Sequence, residues 1–303
     1  MENQKSSGKK HSPPSRLFVF GYGYTSAALA KLLLADGAWS VAGTTRSPDK
    51  TATLRDDGVD PVLWEEPFDG SNLDGATHFL VSTPPGEQGC PALNAATAAI
   101  AARSRPIQWI GYLSTNGVYG DHDGAWVDEA SELRGSSPRA GRRIAAEDAW
   151  RTFAKTTSVP LVIFRLPGIY GPGRSAIDSV RAGKAKRIHK PGQVFSRMHV
   201  DDIAAAIAAS IAKPDASGLF NLADDEPAPP QDVIEYACDL LNVEPPPLTP
   251  IDDANLSEMA KSFYADNKRV SNKRMKEALG VTLRYPTYRD GLTAILNKAN
   301  GAG

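Results

Sequence analysis

Leu17-Phe18-Val19-Phe20-Gly21-Tyr22-Gly23-Tyr24-Thr25-Ser26 joins a short apolar run to a glycine pair and then to an Ala/Leu segment. The run has the length and composition of a buried strand. Ala28, Leu29, Leu32 and Leu33 recur at helical spacing. Strand, glycine turn and helix form the context in which a Gly-rich motif carries chemistry. Gly21 permits a tight turn. Gly23 lets a pyrophosphate approach the backbone with no Cβ in the way, and the N–H groups that open the helix face the anion. Tyr22, Tyr24 and Thr25 belong to the same candidate nucleotide-binding loop. Ser26 stands where the usual pattern has its third glycine, so helix and strand pack less closely there. An ordinary βα turn that uses glycine for geometry alone is the competing reading.

The 303 residues suffice for one large α/β domain, or a core domain with a small appendage. Hydrophobic residues make up 41% of the chain, enough for a substantial core. The net charge of -1 argues against a nucleic-acid partner. Cys90 and Cys238 lie far apart without metal-type spacing. They point to a reducing compartment, to small buried residues and to no metal. No apolar run reaches membrane-spanning length, so no membrane partner is expected. Residues 1–15 are polar, lack the apolar stretch of a signal peptide, and are expected to form a disordered tail on a cytoplasmic protein.

Outward from the glycine turn, strands and helices alternate at the spacing of a doubly wound parallel sheet, an α/β fold. The second strand, Trp39 to Arg46, ends in Thr45-Arg46-Ser47, with no acidic residue before Asp49. In a dinucleotide-binding unit this strand end meets the adenosine ribose. Asp or Glu there accepts from a 2′-hydroxyl, whereas a 2′-phosphate needs a cation and hydroxyls. Thr45 and Arg46 therefore favour NADP, with NAD as the other possibility, and a plain surface arginine as the alternative. A core strand from His78 stops at Ser82-Thr83-Pro84-Pro85. Ser82, Thr83 and Pro84 are expected beside the glycine turn, in the crevice where ligands bind. An alanine-rich helix from Leu93 to Arg103 precedes a strand over Ile107–Thr115, which ends in adjacent hydroxyls. A helix from about Gly141 to Lys155 then leads to the strand Leu161–Arg165 and to Pro167-Gly168. From about Gly173 the rhythm changes. A basic patch, Arg181 to Lys190, is followed by Arg197-Met198-His199-Val200-Asp201-Asp202, with Asp201 or Asp202 as the expected cap of the next helix. Gly280 fits the C-cap of a helix carrying Met275, Ala278 and Leu279.

Four of these stretches together resemble the short-chain dehydrogenase/reductase superfamily in its extended, epimerase-like form. They are Gly21-Tyr22-Gly23-Tyr24, Leu113-Ser114-Thr115-Asn116-Gly117-Val118-Tyr119-Gly120, Arg165 to Pro172, and His199-Val200-Asp201-Asp202. The resemblance covers about residues 16 to 295. It implies a Rossmann core that binds NAD(P), with Pro167 at the cofactor, and a C-terminal lobe for a small-molecule substrate. It also implies a Ser or Thr, a Tyr, and a Lys four residues after the Tyr. Here Thr115 matches the hydroxyl position. With Glu147 as the glutamate four residues beyond the lysine, Arg143 falls at the Lys position and Arg139 at the Tyr position. No tyrosine lies between Asp121 and Val159. An unperturbed phenol, at about 10, needs that lysine to work near neutrality, and a guanidinium stays protonated. The chain thus resembles atypical members that keep the cofactor fold without the defining tyrosine.

The expected domains are a tail over 1–15, an NAD(P)-binding core over 16–172, and a substrate lobe over 173–303 interleaved with the core. The first functional reading is an NADP-dependent oxidoreductase or epimerase/dehydratase acting on a small anionic or nucleotide-linked substrate. Thr115, Tyr119 and Arg143 are its catalytic candidates. Tyr170 and His199 are further candidates for the missing acid–base group, and Arg139, Arg174 and Arg197 hold the substrate. The second reading is a non-catalytic NADP(H)-binding sensor or scaffold. Family members pair through two helices at the positions of Leu93–Arg103 and Gly141–Lys155, so a homodimer is possible.

Overall fold

The computed structural model describes residues 15–68, 70–101, 106–213 and 215–301. The expected tail lies outside these residues except for Ser15, which opens the first strand. In chain order the first half contains β1 (Ser15–Phe20), α1 (Tyr24–Ala35), β2 (Trp39–Thr45), α2 (Lys50–Asp56), β3 (Asp60–Leu63), β4 (His78–Val81), α3 (Pro91–Ala101), β5 (Trp109–Thr115), β6 (Trp126–Val127), α4 (Pro138–Thr157) and β7 (Leu161–Leu166). The second half contains β8 (Gly168–Tyr170), α5 (Ala176–Arg181), β9 (Arg187–His189), β10 (Arg197–His199), α6 (Val200–Ile211), β11 (Gly218–Asn221), α7 (Pro230–Leu241), β12 (Leu248–Pro250), α8 (Glu258–Ala265), β13 (Arg269–Val270), α9 (Lys273–Leu279) and α10 (Tyr288–Ala299).

Seven parallel strands form the central sheet in the order β11-β7-β5-β4-β1-β2-β3. Both faces of such a sheet are covered, so its strands are mostly apolar. Leu17 and Val19 pack under α1 and α6 with Leu29, Leu33, Ile203 and Ile207. Phe18 and Phe20 point the other way, into a layer with Phe79, Tyr112 and Trp150. Strand order reverses at β1, with β2 on one side and β4 on the other. The carboxyl ends of β1 and β4 therefore open a crevice. β11 joins the sheet beside β7, although it lies far along the second half of the chain. Cys90 and Cys238 are both free and buried.

Two helix starts differ from expectation. α4 begins at Pro138, because Ser137 accepts from Ala140 N at 3.1 Å and proline suits the first helical position. Gly141 is thus inside the helix. α6 is capped by neither Asp201 nor Asp202. The cap is His199, whose Nδ1 accepts from Asp201 N at 3.1 Å. Asp202 instead accepts from the backbone N–H groups of Arg284 and Tyr285 at 2.8 and 2.9 Å, which ties that later segment to α6. Gly280 does close α9 in the left-handed conformation, with φ 70°.

α4 is fixed to the sheet by one carboxylate. Glu147 accepts from Ser114 Oγ at 2.6 Å on β5 and from Arg165 Nη2 at 2.7 Å on β7. Burial alone would raise its carboxyl, but hydrogen bonds and charge from Arg165 outweigh that and hold it below the usual carboxylate range. Removing one partner of such a pair strands the other in a dry interior. Glu147→Gln is expected to lower the unfolding free energy by about 3–5 kcal/mol in a urea titration. The stability that Glu147 supplies is complete above its unfolded pKa of about 4.3 and is lost as the pH falls, so the wild-type and variant curves should converge in acid.

Candidate active site

The glycine turn is held from three sides. Gly21 has φ 86°, a conformation that only glycine adopts freely, and a Cβ there would lie 2.7 Å from Thr83 Cγ2. Its N–H donates to Thr44 Oγ1 at 2.7 Å. Ser26, fully buried, donates to the Gly21 carbonyl at 3.4 Å, so a hydroxyl serves where the usual glycine would simply leave space. Gly23 precedes α1 with open space above it and no side-chain cap. The first N–H groups of α1 are therefore free for an anion. Thr83 Oγ1, at the end of β4, is buried and has no hydrogen-bond partner among the described residues.

Other residues of this region divide by environment. Arg46 is exposed at the end of β2 and makes no ion pair among the described residues. The Thr45 hydroxyl accepts from Ser47 N at 3.2 Å and shapes the turn that carries Arg46. Tyr22 packs over Gly43, and its hydroxyl donates to Asp57 at 3.1 Å. Tyr24 leans the other way and donates to the Pro172 carbonyl at 3.0 Å, with the Arg174 guanidinium over its ring.

A cavity of about 1000 Å³ runs from this crevice into the C-terminal lobe. It brings together Tyr24, Thr25, Ser82 and Pro167 with Thr115 and Arg143. It also reaches Arg139, Arg174 and Arg197, which arrive from three distant parts of the chain. Gly21, Tyr22, Gly23, Thr45, Arg46, Thr83 and Pro84 are not among its lining residues. Thr115 Oγ1 accepts from Gly117 N at 3.1 Å, which leaves its proton free to donate into the cavity. Arg143 Nη1 donates to the Leu113 carbonyl at 2.7 Å and to the Tyr112 hydroxyl at 3.2 Å, so the backbone of β5 sets its direction. Arg139 is exposed at the rim.

The three acid–base candidates do not present a free proton there. Tyr119 is fully buried beneath the Arg165 guanidinium and donates to Asn221 Oδ1 at 2.7 Å. Burial raises its phenol, against the charge of Arg165. His199 is buried outside the cavity lining, and burial lowers its imidazole to about 4. Tyr170 lines the cavity, but its hydroxyl lies against Gly291 and donates weakly to the Thr287 carbonyl at 3.4 Å. The basic patch also disperses. Arg187 pairs with Glu235 at 3.1 Å, and Lys190 donates to the Tyr264 carbonyl.

Some lining residues carry no sequence signal. Lys268 is buried, donates to the Gly120 carbonyl at 2.8 Å, and sits within 3.4 Å of Asp266. Burial lowers its ammonium, partly opposed by Asp266. A lysine 148 residues away from its partner belongs to no local motif. Thr44 was within reach, since it stands next to Thr45 in the same hydroxyl pair. Among the described residues no cluster of metal-ligand type occurs, and no helix is long and apolar enough to cross a membrane.

This arrangement is a Rossmann-type parallel sheet whose carboxyl-end crevice opens on the large cavity. Residues 92–223 match the NAD dependent epimerase/dehydratase family. A 3-diazoavenalumate denitrifying reductase from Streptomyces sp is 30% identical over 179 residues, which are 55% of this chain and 58% of the reductase. The match therefore spans less than two thirds of that relative. A functionally unknown conserved protein from Silicibacter pomeroyi DSS is 49% identical, with a TM-score of 0.86 over 94% of this chain and 99% of that one. A human epimerase family protein, solved with NADPH, shares the fold at 19% identity, with a TM-score of 0.75 over 92% of this chain and 98% of that one. The matched segment and the shared fold make the chain similar to the NAD dependent epimerase/dehydratase family.

One buried acid behind the cavity gives a pH signature. Asp224 is 2% exposed, and burial pushes its carboxyl up to about 8, against the charge of Arg197 and with Asp225 and Glu226 adding to the rise. Its folded pKa thus lies above the unfolded value of about 3.9. The resulting contribution to stability is full below about pH 4 and is lost as the pH rises towards about 8. Melting temperatures measured across that window should fall in the wild type and stay flatter in Asp224→Asn.

Proposed function

We propose that this protein is an NADP-dependent oxidoreductase or epimerase/dehydratase acting on a small anionic substrate. The observation that carries the reading is the uncapped start of α1, which opens on the same cavity as Thr115 and Arg143. The residues present fit a nicotinamide nucleotide. Gly23 leaves the backbone bare for the pyrophosphate, Gly21 lets Thr83 pack close against the turn, and Thr83 Oγ1 is an orphaned hydroxyl in that crevice. Arg46, exposed and unpaired beside the turn, is assigned to a 2′-phosphate, which is the basis for NADP over NAD.

When bound, the nicotinamide supplies or accepts a hydride. Thr115 donates its free proton in a hydrogen bond to the substrate oxygen and so polarises the reacting carbon. Arg143 holds ribose hydroxyls through the nitrogens that β5 does not occupy. A guanidinium keeps its proton, so proton transfer is assigned to another group of the cavity. Lys268 is our choice, because it is a buried ammonium whose pKa is already lowered, on the same wall as the segment after Thr115. Arg139 and Arg174, exposed at the rim, guide an anionic substrate inward. The lobe after residue 172 is assigned to the substrate. The proposal extends to a cytoplasmic homodimer pairing through α3 and α4.

The second reading, an NADP(H)-binding sensor without turnover, is favoured by one feature. α4 contains no tyrosine, and Tyr119 is locked in the core. The two readings part on whether reduced nucleotide is consumed. Arg46→Ala is expected to weaken NADPH binding about 10- to 100-fold in a fluorescence titration and to leave NADH unchanged. Equal losses for both nucleotides would remove the NADP assignment. With a carbonyl panel and NADPH, Thr115→Val is expected to lower turnover about 100-fold. Binding without any loss of nicotinamide absorbance in the wild type would favour the sensor.

A further inference from the structure

On the β10 wall of the cavity lies a guanidinium without a counter-ion. Arg197 donates through Nη2 to the Ala228 carbonyl at a long 3.4 Å, and its Nη1 has no partner among the described residues. No carboxylate there lies within ion-pair distance of it. The acid behind it is Asp224, whose N–H donates to the Arg197 carbonyl at 2.8 Å and whose Oδ2 is buried and unpartnered. Burial favours the neutral form of the Asp224 carboxyl, which weakens its hold on Arg197. A part-buried cation in this state is stabilised by any anion that reaches it.

The surroundings restrict which anion. The Arg197 guanidinium stands over the Tyr288 ring, 5.5 Å from its centroid. Phe195 and Tyr264 meet edge to face at 5.4 Å on the same cavity, beside Val233 and Leu292. A guanidinium with an unpartnered nitrogen set against a ring suits an anion with a flat apolar body.

We propose that the substrate lobe binds an aromatic carboxylic acid, with its carboxylate on Arg197 and its ring against Phe195 and Tyr264. This deepens the function proposed above and shares its cavity, but it does not depend on which nucleotide binds.

The full chain is titrated with trans-cinnamate, its neutral amide, and phenyl phosphate, each with and without NADPH, by calorimetry. Cinnamate is expected to bind at least about tenfold more tightly than the amide, and phenyl phosphate no more tightly than cinnamate. Arg197→Gln should remove the preference for cinnamate over the amide, and Arg197→Lys should keep part of it. Equal binding of acid and amide, an undiminished preference in Arg197→Gln, or tighter phenyl phosphate would overturn the proposal. Cinnamate binding in a protein that ignores both nucleotides would leave this subsite standing and remove the cofactor reading. Nucleotide binding without cinnamate binding would do the reverse.

Discussion

Everything in the cofactor half depends on how closely two backbones approach at the sheet's reversal point. Gly21 and Thr83 leave no room for a Cβ between them, and that contact sets the direction in which the chain leaves β1. The turn then delivers α1 with its first amides uncapped. A helix end left bare is a cost unless something negative fills it. Thr44 and Ser26 add the hydrogen bonds that hold the turn in place.

The second constraint is electrostatic and lies one layer deeper. Glu147 binds Ser114 and Arg165, and Arg165 in turn covers Tyr119. This network fixes α4 against β5 and β7, and so fixes where Arg143 and Arg139 stand. It also holds Tyr119, whose hydroxyl is given to Asn221. The cavity wall is thereby rich in permanent cations and poor in groups that release a proton. Lys268, brought in from β13's approach, is the exception, because burial has already lowered its hold on the proton.

Residues from the second half of the chain change the cavity's character from polar to aromatic. Tyr288 stands under the Arg197 guanidinium, Phe195 and Tyr264 meet on the same cavity, and burial raises the carboxyl of Asp224 behind it. Arg197 makes no ion pair among the described residues, while Arg165 pairs closely with Glu147. A carboxylate and a guanidinium thus lock together in one place and stay apart in the other, and the difference is hydrogen-bond geometry.

The local sequence determined the strand–turn–helix at Gly21, the alternation of the sheet and the hydroxyl at Thr115, because each depends on neighbours a few residues away. Gly280 as a helix stop is legible for the same reason. Tertiary structure alone decided what Tyr119, His199 and Asp202 do. Their types are compatible with catalysis or capping, and only the packing of distant segments turned one into a core hydrogen bond, one into a helix cap and one into an anchor for Arg284 and Tyr285. Lys268 and Asp224 were invisible in the chain, since a pKa is set by burial and by charges brought from far along the sequence, and neither exists until the fold has closed.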